Sequence, residues 1–517
     1  MPKIQTIRWD KVDQPISGLS TDVAHEIRVQ HEAIPLVFVP GIMGTRLRRT
    51  DLNRQDAADG LPILRWDPGS SWFMLNDFSG TSGAHRKRML VGSAFNPNFL
   101  EVDNANPVGD GFHGIMDDYW TKFLNQLKKH DWGPLDKIFV FPVYAFGYNW
   151  TDSNENSGKK LAARIQEIIK EAKKVTGLCE KVILITHSMG GLVARWASEV
   201  AGARDSILGV IHGVQPVTGA TAAYWRIKAG FEGLGMTSRV LGHSAHEVVP
   251  VLGNLPGGLQ LLPNKLYRAN DRSQAWLTVT EKGKTTFALP RKSNPYNEIY
   301  RVKAVVQPKQ GEQPSTNTYW GLVDPDLLDP GNANQPAKPT NDAMCAQAKR
   351  DSWLQYLLML NKAESFHNTL GTQAHPQTFC FHGTDNDTAD VIELRVESNW
   401  FQNDPYPIRG FRGFFTNRDG KSMQAVLQDP DRQSHGIPPT GDGDGTVAVS
   451  SATTLDNASK PFPGDRAFNV EHQPAYNKNF IQAYTVKAII ALCKMRYEAL
   501  RYPLGDFPKQ QGPTRFG

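Results

Sequence analysis

The chain has 517 residues, room for about three average domains and for a sizeable buried core. Forty per cent of the residues are hydrophobic, with 45 glycines and 34 prolines, and no repeat of fixed period or sustained low-complexity tract interrupts them, which excludes repeat and low-complexity architectures. A formal charge of +5 over 57.5 kDa is compatible with adsorption to an anionic lipid surface, but it is too small and too scattered for nucleic-acid binding.

The first eighteen residues, MPKIQTIRWDKVDQPISG, lack the apolar centre of a secretory signal, and no stretch approaches the ~18 unbroken apolar residues of a membrane span. The expectation is a chain made soluble in the cytoplasm, so that any export follows a route without a leader. Cys179, Cys345, Cys380 and Cys493 have no metal-ligand spacing and read as buried thiols, and neither metal nor cofactor is expected.

In chain order, residues 1–33 are polar and mixed and read as a surface arm. Ile34 to Pro40, IPLVFVP, is an apolar strand running into Gly41-Ile42-Met43-Gly44, where bare backbone can lie against a ligand. Residues 50–115 read as a long irregular connection. Asp117 to His130 has helical apolar spacing, Lys137 to Tyr144 reads as a strand, and a helix follows from an N-cap at Ser157 to Thr176, stopped by Gly177.

The segment KVILITHSMGGLVARWAS, Lys181 to Ser198, begins with an apolar run typical of a parallel strand buried on both faces and continues as a helix from Leu192 to about Val200. Between them Ser188 sits on a tight turn, with Gly190 two residues later and Thr186 two residues earlier. A serine on a strand-to-helix turn is lifted off the sheet edge, as in a nucleophile elbow, although Thr186 stands where that pattern usually has glycine. Ser188 is the expected nucleophile. Leu208 to Val214 is the next buried strand, and strand and helix alternate up to it, the order of a parallel sheet with helices on both faces.

From Thr218 to Pro263 apolar residues are interrupted by glycine and proline too often for one regular element, which suits either a mobile flap or a packed cap. Residues 264–340 read as an inserted subdomain ending in a linker near 324–340, followed by a helix from Asp342 to Leu370 and a core strand at Thr378 to His382. An insertion near 396–440 interleaves Trp400, Phe401, Tyr406, Phe411, Phe414 and Phe415 with Arg409, Arg412 and Arg418, which suits a lipid interface or a half-packed hairpin. The resulting division is arm 1–33, core 34–215, lid and cap 216–375, core strand 376–395, insertion 396–440 and core 441–517.

A serine nucleophile needs a base in reach and an acid to orient it, and in this fold class they follow in the order Ser, Asp or Glu, His. TGDGDGTVAVS, Thr440 to Ser450, holds Asp442 and Asp444, and the single histidine beyond it is His472. Asp444 is the expected acid, with Asp442 as the fallback and Asp385 or Asp387 third, and His472 is the expected base. A calcium loop at the same aspartates lacks the later oxygen ligands and the glutamate. Backbone N–H groups of Ile42 and Met189 are the expected oxyanion donors.

VPGIMGT, YNW, THSMGG, TFCFHGT and GDGDGTV together resemble the α/β-hydrolases of the lecithin:cholesterol acyltransferase, lysosomal phospholipase A2 and GPI inositol-deacylase-like group. The resemblance covers about 34–215 and 376–490. It implies an α/β-hydrolase fold with an inserted lid, and a serine lipase or phospholipase that cleaves acyl esters of glycerophospholipids at a membrane surface. Long insertions without a leader are also similar to phospholipase effectors delivered by type VI secretion, which implies an antibacterial toxin with an immunity protein and a secretion-apparatus component as partners. A carboxylesterase for soluble esters or neutral glycerides, and a non-catalytic binding protein on the same fold, are the rival readings. GVQPVTGA, after the strand at Leu208, departs from the family pattern and leaves the acyl pocket open.

Overall fold

The computed structural model describes residues 3–11, 24–50, 61–91, 99–104, 112, 114–115, 117–231, 236–269, 274–281, 284–292, 294–304, 318, 320–330, 341–396, 413–416, 422–425, 441–456 and 466–501. Six strands build its central sheet: β1 (Leu36–Val39), β2 (Val143–Ala145), β3 (Val182–His187), β4 (Ile207–Gly213), β5 (Thr378–Thr384) and β6 (Ala467–Asn469). They lie in the order β6-β5-β4-β3-β1-β2, and every neighbouring pair is parallel. The principal helices are α1 (Ser71–Phe78), α2 (Gly83–Leu90), α3 (Asp117–Lys128), α4 (Asn154–Thr176), α5 (Gly190–Glu199), α6 (Thr221–Ala229), α7 (Met236–Leu241), α8 (Ala245–Leu252), α9 (Asp342–Leu370) and α10 (Asn479–Arg501).

The apolar runs of β1 and β3 explain the two-sided cover, because successive side chains on a strand point to opposite faces. Leu36, Phe38, Ile183 and Ile185 pack with α3 and α10, through Phe123, Leu124, Ile489 and Leu492. Val37, Val39, Val182 and Leu184 pack with Leu161 and Ile165 of α4 and with Leu192 and Val193 of α5. Each such side chain contributes about 1.5–3 kcal/mol when fully buried, so β3 cannot slip by one residue without turning its neighbours' contacts over.

Several boundaries differ from the sequence expectation. The N-cap of α4 is Ser153 rather than Ser157, four residues earlier than expected, and the Ser153 Oγ accepts from Asn156 N at 3.1 Å. The stop at Gly177 holds, with the glycine at φ 78°. Lys137 to Tyr144 is two strands: Phe139–Val140 pairs with Glu32–Ala33, and β2 pairs with β1. Pro142 lies between them and has no N–H to donate to a ladder.

Residues 50–115 are not irregular throughout. Leu47–Arg49, Leu64–Trp66 and Leu100–Val102 form a small antiparallel sheet, and α1 and α2 are helices of 8 residues each, capped by Ser70 and Ser82. Two turns are too few to display a helical period. The arm is also more structured than its composition suggests: Lys3–Arg8 pairs with His25–Gln30, and buried Trp9 stacks on Tyr497 at 5.4 Å between ring centres. Buried Glu32 accepts from the Arg496 guanidinium at 2.7 Å. Tyr497 and Arg496 lie on α10, far along the chain, which is why local reading misses these two contacts.

The expected cap begins with three short helices, α6, α7 and α8. Arg86 of α2 holds the last carbonyls of α7 by donating to Arg239 O at 2.8 Å and Val240 O at 2.6 Å, and it also donates to Phe78 O at the end of α1. α9 runs over Asp342–Leu370 as the spacing predicts, with Asn341 as N-cap. Ile392–Val396, expected with the core, instead pairs with cap strand Leu277–Glu281. All four cysteines are free; Cys179, Cys380 and Cys493 are buried, whereas Cys345 is partly exposed on α9. Within the expected insertion at 396–440, strands Gly413–Thr416 and Ser422–Ala425 pair antiparallel, while the side chains of its aromatic and arginine residues lie outside the described residues. No described helix is long and apolar enough to cross a membrane.

The cap assignment is tested by two alanine substitutions. Ser153→Ala is expected to lower stability by about 1 kcal/mol, read from the denaturant midpoint. Ser157→Ala, inside the helix, is expected to leave the midpoint unchanged or raise it slightly.

Candidate active site

β3 delivers its last residue, His187, to the carboxyl edge of the sheet, and Ser188 follows at φ 53°, in the left-handed region that side chains other than glycine seldom adopt. Such a conformation costs of the order of 1–3 kcal/mol and persists because the surroundings hold it. Ser188 N donates to Gly213 O at 3.0 Å, and α5 begins at Gly190. A Cβ on Gly190 would stand 2.3 Å from Val39 O, so the turn can pass beneath the β1 loop only with glycine there. Thr186 lies within β3 rather than in the turn. Its side chain is buried, and its hydroxyl pairs with His212 Nδ1 at 2.9 Å, which accommodates the branched residue where the usual pattern has glycine.

His472 and Asp444 meet Ser188 from two other parts of the chain. His472 Nε2 is 2.9 Å from Ser188 Oγ, and His472 Nδ1 is 2.7 Å from Asp444 Oδ2. The second oxygen of Asp444, Oδ1, accepts from Thr446 N at 2.9 Å and Val447 N at 2.7 Å, which fixes the carboxylate plane. The main chains are joined as well, His472 N donating to Asp444 O at 2.8 Å. A carboxylate accepts only, so Nδ1 carries the ring proton and Nε2 is left to accept from the serine hydroxyl. Asp442, by contrast, is exposed and takes the Asp385 N–H at 2.6 Å, and Asp385 and Asp387 are exposed too. The structure therefore brings Ser188, Asp444 and His472 together and leaves the other three aspartates outside.

Ile42 and Met43 line the cavity that opens at Ser188, and Met189 is the N-cap residue of α5, so its N–H lies outside the helix's own hydrogen-bond ladder. Side chains that the sequence reading left without a role hold the Ile42 loop. Tyr148 OH donates to Pro40 O at 3.0 Å, Trp66 Nε1 to Met43 O at 2.7 Å and Trp150 Nε1 to Thr45 O at 3.3 Å. The YNW motif was visible, but its purpose needed the fold.

The cavity has a volume of about 530 Å3, within the size range of ligand clefts. Its walls include Trp66, Met74, Ile227, Phe231, Leu252 and Leu261. Arg226 provides the one fixed positive charge among the described lining residues, its guanidinium 5.3 Å from the Phe231 ring centre. No group of His, Cys, Asp and Glu side chains among the described residues could hold a metal ion. Chemically, the arrangement can withdraw the Ser188 proton and stabilise the resulting imidazolium.

No protein-family model matches the sequence, and no curated protein matches it significantly. Among solved structures, the chain is similar to one from the Tle4-Tli4 complex, with a TM-score of 0.66 and 22% identity over 90% of this chain and 99% of that one. Weaker likenesses are the mature lipase BlEst2 of Bacillus licheniformis (TM-score 0.19, 16% identity, 42% of this chain and 54% of that one) and phospholipase PlaB from Legionella pneumophila (0.19, 13%, 43% and 32%). The central sheet and its covering helices are those of an α/β-hydrolase fold.

Two outcomes follow from this geometry. Asp444→Asn is expected to slow labelling of Ser188 by a fluorophosphonate by about 10⁴-fold, by analogy with loss of the orienting acid in other triads, while Asp442→Asn labels at close to the wild-type rate. Acid should also destabilise the fold. Burial pushes His187 and His212 down to about 3 and His367 to about 4. The unfolded chain takes up protons at these rings as pH falls through about 6.5, whereas the folded chain does not, so stability is full above that pH and declines from there towards 3. Melting midpoints across this window should fall, and His367→Gln should make the fall shallower.

Proposed function

We propose that the chain is a serine lipase that hydrolyses acyl esters of glycerophospholipids, with Ser188 as nucleophile, His472 as base and Asp444 as the orienting acid. The observation that carries the reading is the unbroken hydrogen-bond chain from Asp444 through His472 to Ser188 at the edge of an apolar cavity. In this mechanism Ser188 Oγ attacks the ester carbonyl carbon while its proton passes to His472 Nε2. The carbonyl oxygen becomes an oxyanion, held by the Ile42 and Met189 N–H groups, each such donor being worth a hundredfold or more in rate (~10²–10³).

Collapse of that intermediate breaks the ester C–O bond, and the departing alcohol oxygen takes the proton from His472. Water then attacks the acyl-serine, giving its proton to His472, and release of the fatty acid returns that proton to Ser188 Oγ. Asp444 stays ionised throughout and steadies the imidazolium.

Two features favour a phospholipid over a soluble ester or neutral glyceride. Arg226 places a cation in the cavity wall close to apolar side chains such as Ile227 and Phe231, which suits a phosphodiester beside acyl chains. Beside the cavity, α1 turns Met74 inward and leaves Trp72 75% and Leu75 37% exposed, an amphipathic edge suited to a lipid interface. The likeness to a chain of the Tle4-Tli4 complex supports a dedicated protein partner. The broader reading, an antibacterial effector delivered by a secretion apparatus and held in check by an immunity protein, rests on the sequence resemblance.

The test is release of fatty acid and lysolipid from mixed phospholipid vesicles, with a soluble short-chain ester in parallel. Wild type is expected to release both products and Ser188→Ala neither. Trp72→Ala is expected to lower vesicle hydrolysis severalfold relative to turnover of the soluble ester. Turnover of the soluble ester alone would assign a carboxylesterase instead, and a folded wild type inert towards vesicles, ester and fluorophosphonate would assign a binding protein.

A further inference from the structure

His187, the residue before Ser188, is almost fully enclosed, and the mechanism above gives it no part. Its Nε2 lies 2.9 Å from the main-chain oxygen of His472. A carbonyl oxygen only accepts, so the proton is on Nε2 and His187 donates across 285 residues of sequence to the backbone of the base. Burial holds the ring neutral near neutral pH, pushing it down to about 3, which suits the donor pattern.

The contacts of His187 reach Ser188, His472 and the loop after β1. It is covalently joined to Ser188. Its ring centre lies 5.2 Å from that of His472, 5.3 Å from Trp120 and 6.2 Å from Tyr476. On its other edge, Nδ1 meets the loop after β1: a Cβ on Gly41 would stand 2.9 Å from Nδ1 and 3.1 Å from Ser188 Cβ. The His472 backbone is thereby held from two directions, its N–H by Asp444 O and its C=O by His187 Nε2.

We propose that His187 is a positioning residue for this reaction: its Nε2–H, bonded to the His472 carbonyl, sets the reach of the His472 ring to Ser188 Oγ while its ring supports the Gly41 loop. The inference rests on the serine-hydrolase reading above and adds to it a side chain that never meets substrate. Displacing a base by about 1 Å can cost about a hundredfold in rate, and without this bond the His472 main chain would keep the Asp444 oxygen on its N–H but lose the donor on its carbonyl.

The test compares His187→Phe, which keeps a ring against Trp120 and Tyr476 but has no donor, with His187→Gln, whose amide nitrogen is the same number of bonds from Cα as the lost Nε2. With a soluble ester, His187→Phe is expected to lower kcat by about ten- to a hundredfold with KM changed less than about twofold, and to slow fluorophosphonate labelling of Ser188 in parallel. His187→Gln is expected to recover most of that loss. Both variants are followed by thermal melting, so that a folding defect is separated from a kinetic one. Wild-type kcat in His187→Phe would overturn the proposal, as would an equal loss in both variants, which would mean that the ring serves packing alone. Failure of the wild type itself to label or turn over ester would instead overturn the underlying nucleophile assignment.

Discussion

Burial of β3 on both faces is the constraint on which the remaining structure depends. Val182 to Ile185 leave no face for water, so the strand must be hydrogen-bonded along both edges and covered above and below. β1 and β4 supply the edges, and α3, α4, α5 and α10 supply the cover. Once the strand is so placed, its end is placed as well, and the strained backbone of Ser188 can be maintained there because Gly213 O, the β1 loop and the start of α5 leave it no room to relax.

The site is assembled from four separated segments, and main-chain contacts keep them in register. The loop after β1 is hung from Tyr148, Trp66 and Trp150, three aromatic side chains whose polar ends reach backbone oxygens. The turn at Asp444 is closed by its own amides on that carboxylate, and the main-chain oxygen of Asp444 also accepts from His472 N. Aromatic bodies fill apolar space while their single donors satisfy carbonyls that the loop cannot pair by itself. Rigid support of this kind is what a hydrogen-bond chain of 2.7 to 2.9 Å requires if it is to survive thermal motion.

The cap combines apolar burial with cations taken out of water. Arg86 is enclosed and closes the ends of α1 and α7, and Lys87 beside it donates to Leu328 O and pairs with Asp329 at 3.0 Å. Burial pushes Lys87 down to about 8 and Lys228, which donates to Gly321 O, to about 7. Breaking a buried pair such as Lys87–Asp329 leaves one uncompensated charge, typically about 3–5 kcal/mol of lost stability, so these contacts tie α2 and α6 to the segments around 328 and 321.

What the sequence determined by itself is the set of elements whose signals are local and long. The apolar runs at Leu36 and Val182, the alternation of strand and helix, and the helix at Asp342–Leu370 were legible because each carries its own period or cap. So was the order Ser188, Asp444, His472, since a single histidine follows the aspartate turn. Only the tertiary structure decided which aspartate faces His472, because Asp442 and Asp444 share one small turn and differ in which side of it they occupy. Only it revealed that Trp9 and Glu32 belong to the core beside α10, that the eight-residue helices α1 and α2 exist, and that His187 reaches the main chain of His472. In each of these the partners lie far apart along the chain or the element is too short for a period. Long-range pairing has no signature in local sequence, and it was this pairing that turned four separate segments into one site.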